Sequence, residues 1–259
     1  MLKLKIPKKK NTDFIKKFFR KKNLDFSEIW SKEYSKSNVI EPVVKDLYFL
    51  YQLLILNKRT TILEFGSGWS SLIFNLALYE IKAKYLSKTK DIQRNNLFEL
   101  FILENSKKFL NITKNRILNF NKNLKLSGIK INYCLSDVIM TTYNDKICTK
   151  YKKIPLCIPD FIYLDGPDTL NVKKKINGIT TKFKGMSPLS SDILRLEYFF
   201  IPGTIIVCDG RAQNVRFLKN NFQRNWKYFN FKDRDISLFI LNENSLGKIN
   251  DKLINFYNT

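Results

Sequence analysis

A β-branched and apolar run, Thr60–Phe65, ends in Gly66-Ser67-Gly68 and passes without a break into Trp69–Tyr79, which reads as a helix. This strand–turn–helix junction constrains the fold more than any other feature of the chain. Two glycines one residue apart allow a turn too tight for side chains and let a ligand approach the backbone. The N–H groups of the first helical turn lack partners within the helix and face the same place. The junction does not identify its ligand, because dinucleotide enzymes use a Gly-x-Gly turn as well, and a plain strand–helix connection has the same pattern.

Further short apolar runs follow at Leu100–Glu104, Ile129–Leu135, Phe161–Leu164, Thr204–Cys208 and Ser237–Leu241. Most are apolar throughout rather than alternating, the pattern of parallel strands covered on both faces. Helical stretches lie between them, at Ser106–Asn119, Ser190–Phe200 and Asn214–Phe222. Alternation of strand and helix predicts an α/β fold: a doubly wound, mostly parallel, Rossmann-like seven-stranded sheet with an N-terminal helical extension. Ahead of the first strand, Val43, Leu47, Leu50, Tyr51, Leu54 and Ile55 recur at helical spacing, and Pro42 suits the first turn. No internal repeat or Pro/Gly-rich linker interrupts the chain. Residues 1–40 therefore read as a basic extension and residues 41–259 as one domain.

Composition narrows the chemistry. The 259 residues hold 46 Lys and Arg against 23 Asp and Glu, a formal charge of +23, and no histidine. Without imidazole there is no Ser-His-Asp triad, no Cys-His pair and no HExxH zinc site. The charge fits a nucleic-acid partner, an anionic membrane surface, or a coding bias toward lysine. Residues 1–22 carry ten basic residues and one acid, Asp13. Phe14, Ile15, Phe18 and Phe19 give Asp13–Lys22 the pattern of a basic amphipathic helix. That helix would either dock on an anionic membrane or pack its apolar stripe on the body of the protein. The four cysteines show no CxxC spacing and read as reduced thiols. Nothing resembles a signal peptide or a membrane span, so the expected location is cytoplasmic, with peripheral contact at the inner face of a membrane left open.

Acids mark the ends of successive strands: Glu64 just before Gly66, Glu104, Asp137 after Ser136, Asp165 and Asp209. Ligands of open α/β sheets bind beyond the carboxyl ends of the strands, so these residues converge on one cleft. Each alone could be a helix cap. Five together in a cationic protein point to a ligand.

Here the chain resembles the class I S-adenosylmethionine (SAM)-dependent methyltransferases, over roughly Ile40 to Asn242. Within them it is most similar to small O-methyltransferases of the catechol, caffeoyl-CoA and macrocin type. The resemblance rests on Glu64-x-Gly66-x-Gly68, on the helix ahead of it, on Asp165-Gly166-Pro167-Asp168, and on Pro202-Gly203 before the strand ending in Asp209-Gly210. It implies that Glu64, Gly66, Ser67 and Gly68 wrap the methionine part of SAM, that Glu104 binds the ribose hydroxyls, and that Ser136 and Asp137 lie beside the adenine. It implies methyl transfer to a hydroxyl of a small molecule, sugar or glycan.

This chain departs from the pattern in two ways. The stretch between Gly68 and Glu104 is long, and Lys82–Asn96 reads as a polar surface loop. The metal-dependent relatives carry Asn or Asp where Gly210 stands, which leaves Asp165 and Asp209 as Mg²⁺ ligands with Asp168 or Asn214 as an uncertain third. With no histidine, the proton of an acceptor hydroxyl falls to a metal or to Asp165 or Asp168 as general base. Lys173, Lys174, Lys175, Lys182 and Lys184 make the segment Gly166–Pro188 basic, and Arg211 follows Asp209-Gly210. Placed over the cleft, they suit an anionic acceptor. Two other readings stay open: a nucleic-acid methyltransferase, which lacks support from any base-stacking motif after Asp165, and a non-catalytic basic binding protein on the same fold. A nicotinamide dehydrogenase fits less well, because the acid spacing is wrong. Oligomeric state is not legible.

Overall fold

The computed structural model describes residues 2–37, 40–183 and 185–259. Ten strands form in chain order: β1 (Thr61–Phe65), β2 (Glu99–Glu104), β3 (Lys130–Leu135), β4 (Val138–Tyr143), β5 (Lys146–Tyr151), β6 (Phe161–Leu164), β7 (Val172–Lys173), β8 (Ile205–Asp209), β9 (Trp226–Phe231) and β10 (Ile236–Leu241). Seven of them make the central sheet, in the order β3-β2-β1-β6-β8-β10-β9. β1, β2, β3, β6 and β8 pair parallel, and β10 runs antiparallel to both its neighbours, β8 and β9. The Rossmann-like, doubly wound fold expected from the sequence is present. Its chain winds outward from β1 to β3 and returns to β6 beside β1, which puts the topological switch point between β1 and β6.

The helices are α1 (Thr12–Arg20), α2 (Phe26–Ser37), α3 (Val44–Asn57), α4 (Trp69–Tyr85), α5 (Lys107–Leu124), α6 (Asp192–Leu196), α7 (Ala212–Asn221) and α8 (Gly247–Asn258). One sheet face packs on α3, α4 and α5, through side chains such as Leu50, Leu54, Ile73, Phe74 and Ile117. The opposite face is covered by α6, α7 and a small second sheet, with Leu63, Phe65, Ile162, Ile206 and Leu218 in its core. β1, β2 and β6 are buried along their whole length, which is why they read as unbroken apolar runs.

The second sheet, β5-β4-β7, takes β4 and β5 from between the third and fourth strands of the main winding and β7 from just after the fourth. Its hairpin turns at Asn144-Asp145, both at positive φ (48° and 58°), the requirement of a two-residue primed turn. β7 belongs to the Gly166–Pro188 segment and pairs with β4. The far end of that segment is also tied down: Thr149 N donates to the Leu189 carbonyl, and Ser191 N to that of Thr149. The basic segment is therefore a fixed wall. Lys184 lies outside the described residues.

The amphipathic helix expected at Asp13–Lys22 forms as α1, and its apolar stripe packs on the body. Ile15 and Phe19 are fully buried, and Phe18 meets Tyr48 and Tyr51 of α3 edge-on at 5.2 and 5.4 Å. Phe19 also packs on Phe26 of α2 at 5.0 Å. Residues 2–37 thus share the core of the rest of the chain.

The stretch Lys82–Asn96 is a surface loop only in its second half, although most of its polar side chains are exposed throughout. α4 continues through Tyr85, a 3-10 turn follows at Leu86–Thr89, and Thr89 and Ile92 are buried. Arg94 then reaches inward to Asp160 at 3.0 Å. Within this polar stretch Arg94 serves a buried ion pair, while most of its polar neighbours face solvent. Among the described residues, no helix is long and apolar enough to cross a membrane.

Candidate active site at the carboxyl ends of the strands

β1 and β6 deliver two glycines to the switch point. Gly66, at φ +105°, sits where only glycine is unstrained. A Cβ on Gly66 would lie 2.9 Å from Gly166 N, and a Cβ on Gly166 would lie 2.6 Å from Gly66 N. The two backbones touch, and Gly166 N donates to the Phe65 carbonyl at 2.5 Å. Gly68 behaves differently: a Cβ there would meet nothing within 4 Å. Open space therefore lies directly over the turn, at the start of α4.

Glu64 supports this turn from below. Its side chain has no solvent exposure, and the Ser70 and Ser71 hydroxyls donate to its two oxygens at 2.5 and 2.6 Å. Gly68 N donates in turn to Ser71 Oγ at 3.1 Å. Burial pushes the Glu64 carboxyl up to about 8, against the lowering pull of the two serines. The residue shapes the glycine turn and presents no surface to a ligand.

Glu104 ends β2 beside the turn. One carboxylate oxygen accepts from the N–H groups of Asn105 and Ser106, at 2.7 and 2.8 Å, just ahead of α5, whose cap is Ser106. The other accepts from the Ser67 hydroxyl at 2.9 Å. Desolvation raises its pKa even so. Asn105, which no sequence pattern singles out, ties two strand ends together: its amide donates to the Asp168 carbonyl and its oxygen accepts from Asp168 N, both at 2.9 Å.

Asp165 follows β6. Its side chain keeps 54% of its surface exposed, and the Arg211 guanidinium stands 3.7 Å from Oδ1 while donating to the Asp165 carbonyl. Desolvation, with Asp209 and Glu104 nearby, raises the carboxyl to about 7 against the pull of Arg211. Asp209 ends β8 and accepts from the Tyr163 phenol at 2.6 Å; desolvation raises it as well. Asp168 is committed to its own loop, where its oxygens accept from Leu170 N at 3.0 Å and from the Asn171 amide at 2.5 Å.

Ser136 and Asp137 lie further along the same edge. Ser136 Oγ accepts from Lys153 N at 2.9 Å. Asp137 pairs with Lys173 at 2.7 Å and Lys152 at 3.2 Å, and these contacts, Lys173 first, hold its carboxyl below the usual range. Lys173 thus closes on an acid of the site instead of projecting freely over it.

The donor set does not suit the Mg²⁺ expected at Asp165 and Asp209. Asp209 is held by Tyr163, and Asp165 faces a guanidinium. Asn214 is fully buried, its oxygen taken by Ser190 N, while Asp168 serves its own turn. Among the described residues, no three His, Cys, Asp or Glu side chains group as metal ligands. The expected metal site is corrected to a pair of separately engaged acids.

Tyr151, at the end of β5, joins the site without any mark in the sequence. It is 3% exposed, its ring packs 5.8 Å from that of Phe65, and its buried hydroxyl has no hydrogen-bond partner. Desolvation comes first in raising the phenol well above its usual value, and the charges of Glu104, Asp192, Arg211 and Asp165 act on it. Arg211 Nε likewise lacks a hydrogen-bond partner. An inserted hairpin carries Tyr151, so the winding pattern that locates the acids holds no signal for it.

No family model matches the chain, and no curated protein matches its sequence. Among solved structures, it is similar to the O-methyltransferase TomG from Streptomyces achromogenes, in complex with SAM, at 11% identity and a TM-score of 0.45, over 89% of this chain and 96% of that one. It is also similar to an O-methyltransferase from Bacillus cereus in complex with SAH, at 13% identity and a TM-score of 0.42, over 88% of this chain and 97% of that one. At that distance the fold rests on the strand order and winding of the chain itself.

Proposed function

We propose that the chain is a SAM-dependent methyltransferase acting on a hydroxyl of an anionic sugar, glycan or small molecule. One observation carries the reading: three acids whose pKa values are raised, Glu104, Asp165 and Asp209, surround an open glycine turn in a protein of charge +23. A cationic ligand relieves that strain, and SAM brings both a sulfonium and an ammonium.

The residues present fit it. Gly66, Ser67 and Gly68 would border the methionine part, and the open space over Gly68 gives it room. Glu104 already accepts a hydroxyl, from Ser67, at the oxygen a ribose hydroxyl would use. Ser136 and Asp137 would lie by the adenine. Bound there, SAM supplies an electrophilic methyl group. The protein's part is to align the acceptor and remove its proton. Asp165 suits the proton removal, because a carboxyl raised to about 7 is a stronger base than an ordinary aspartate and is still half ionised near neutrality. Arg211 and the lysine-bearing wall at 166–183 would hold an acceptor's negative group. Asp168 does not serve as base in this scheme, because both its oxygens are engaged.

Calorimetry tests the reading. The native chain should bind SAM, and Gly68→Val should lose at least about a hundredfold in affinity without a change in melting temperature, because the added carbons enter open space. A native chain that binds no SAM overturns the proposal. Transfer of labelled methyl from SAM to a panel of acidic glycans and nucleotide sugars tests the acceptor class, and exclusive labelling of RNA would move the reading to a nucleic-acid methyltransferase.

A further inference from the structure

Two adjoining hollows lie on the N-terminal segment, and both are lined by Lys16. One, of about 280 Å³, runs between α1, the start of α2 and residues 41–45; its lining includes Thr12, Phe26, Ser27, Glu41, Pro42 and Val43. The other, of about 500 Å³, follows α1 past Asp13, Lys17, Arg20 and Lys21. They meet at Lys16 as a shallow groove, its second half lined by α1 alone.

The segment that walls the first hollow also borders the active-site cleft. This wall, residues 41–45, is held at one end by Trp69, whose indole N–H donates to the Ile40 carbonyl at 3.0 Å immediately after Gly68. At the other end Arg234 donates to the Lys45 carbonyl at 2.9 Å, and the next residue, Asp46, is close enough to Asp209 for the two charges to interact. The segment therefore passes along the mouth of the cleft.

We infer that this groove is the track for an acidic glycan chain, which it feeds to the cleft as the methyl acceptor; the inference rests on the methyltransferase reading. Lys16, Lys17 and Lys21 are exposed and make no ion pair among the described residues, whereas Arg20 pairs with Asp25. Three uncommitted cations at i, i+1 and i+5 line one side of the helix, an electrostatic attraction for a run of carboxylates, sulfates or phosphates. Next to them are Pro42, Val43 and Val44 for the C–H faces of sugar rings, and Thr12, Ser27 and Glu41 for their hydroxyls. A nucleic acid fits less well, because single-stranded bases need exposed rings to stack on. The one ring in the lining, Phe26, is buried against Phe19 and Trp69. A bilayer fits less well too: Ile15, Phe18 and Phe19 of α1 are spent on the core, which leaves Phe14 as the one exposed ring of the helix.

The test uses the full chain, a short heparin oligosaccharide as probe, and fluorescence anisotropy at several salt concentrations. The native protein should bind the probe with an affinity that falls as salt rises, and more tightly than poly-uridylate or phosphatidylserine vesicles. Lys17→Glu/Lys21→Glu should weaken binding by at least about tenfold. A second double reversal with the same spacing on α8, Lys248→Glu/Lys252→Glu, should leave it unchanged. SAM affinity, measured by calorimetry, should be the same in all three proteins. Absent binding, equal loss in both variants, or tighter binding of poly-uridylate or vesicles overturns the groove assignment. Failure of the native protein to bind SAM overturns the methyltransferase reading instead, and with it the groove's role in feeding an acceptor to the cleft.

Discussion

The two ends of the central sheet treat their acids in opposite ways. At the amino ends of β1 and β6, Asp160 accepts from Thr60 N, Thr60 Oγ1, Thr61 N, Arg94 and the Tyr257 phenol, with distances from 2.6 to 3.1 Å. Arg59, fully buried beside it, stacks 3.9 Å over the Tyr257 ring and donates to the Gly203 carbonyl at 2.9 Å. At the carboxyl ends, Glu64, Glu104, Asp165 and Asp209 sit among fewer donors, and all four have raised pKa values. One end surrounds its acid with donors, although Arg59 Nε and Nη2 beside it lack hydrogen-bond partners among the described residues. The other is a set of acids held short of compensation, which is how a binding site for a cation looks before the cation arrives.

Four measurements put that contrast at risk. The largest effect is expected at the amino end, around Asp160. Asp160→Asn leaves Arg94 and Arg59 buried without their counter-charge, and urea unfolding should show a loss of about 3–5 kcal/mol. A loss below about 1 kcal/mol would mean that this end is not held by charge.

At the open end, Asp165→Asn should leave stability equal or higher, because it removes an incompletely compensated acid. Its kcat should fall about a hundredfold. The native rate should climb with pH through about 7 as Asp165 loses its proton, and the variant should lose that limb. An unchanged pH profile would assign the proton to another group.

Glu64 is the subject of the third measurement. Its pKa is about 8 in the fold against 4.5 for the free side chain, so the folded state binds the proton more tightly than the unfolded chain does. Stability should therefore decline as pH rises from about 5 to 8, the opposite of the usual aspartate behaviour. Glu64→Gln should remove about 2 kcal/mol of that decline in melts recorded across the range. Saturating SAM should reduce the part of the decline contributed by the acids facing the cleft.

The smallest effect on stability belongs to Tyr151. Removing a buried hydroxyl that has no partner should change stability by less than about 0.5 kcal/mol. If that hydroxyl meets the acceptor, Tyr151→Phe will raise the acceptor KM or lower kcat while the SAM affinity stays constant. Unchanged kinetics would leave it a packing residue.

What the sequence makes legible follows from burial. β1, β2 and β6 are covered on both faces, so their residues are apolar throughout and their ends are sharp. The acids after them stand out for that reason. β9 pairs on one side only, at the edge of the sheet, and its mixed run Trp226–Phe231 carries no such mark. The hairpin β4–β5 is readable in principle, since Asn144-Asp145 tolerates positive φ, yet it lacks the glycine that usually announces such a turn. Partner identity is the harder problem. Nothing in the spelling of Asp165, Asp209 and Asn214 reveals that Arg211, Tyr163 and Ser190 reach them first, and the sequence alone therefore suggests a metal. Arg94 lies in a stretch whose polarity suggests solvent, and only the fold shows that it faces Asp160.

The contact between Gly66 and Gly166 limits how this chain can change. The two positions lie a hundred residues apart but form a single steric unit, in which each occupies the volume a neighbour's Cβ would need. A substitution at either cannot be rescued by shrinking the other, because the other is already glycine. In a library of random variants the pair should therefore tolerate no single replacement and no compensating double replacement. Gly68, with open space above it, should accept small side chains when selection is for folding and refuse them when selection is for activity.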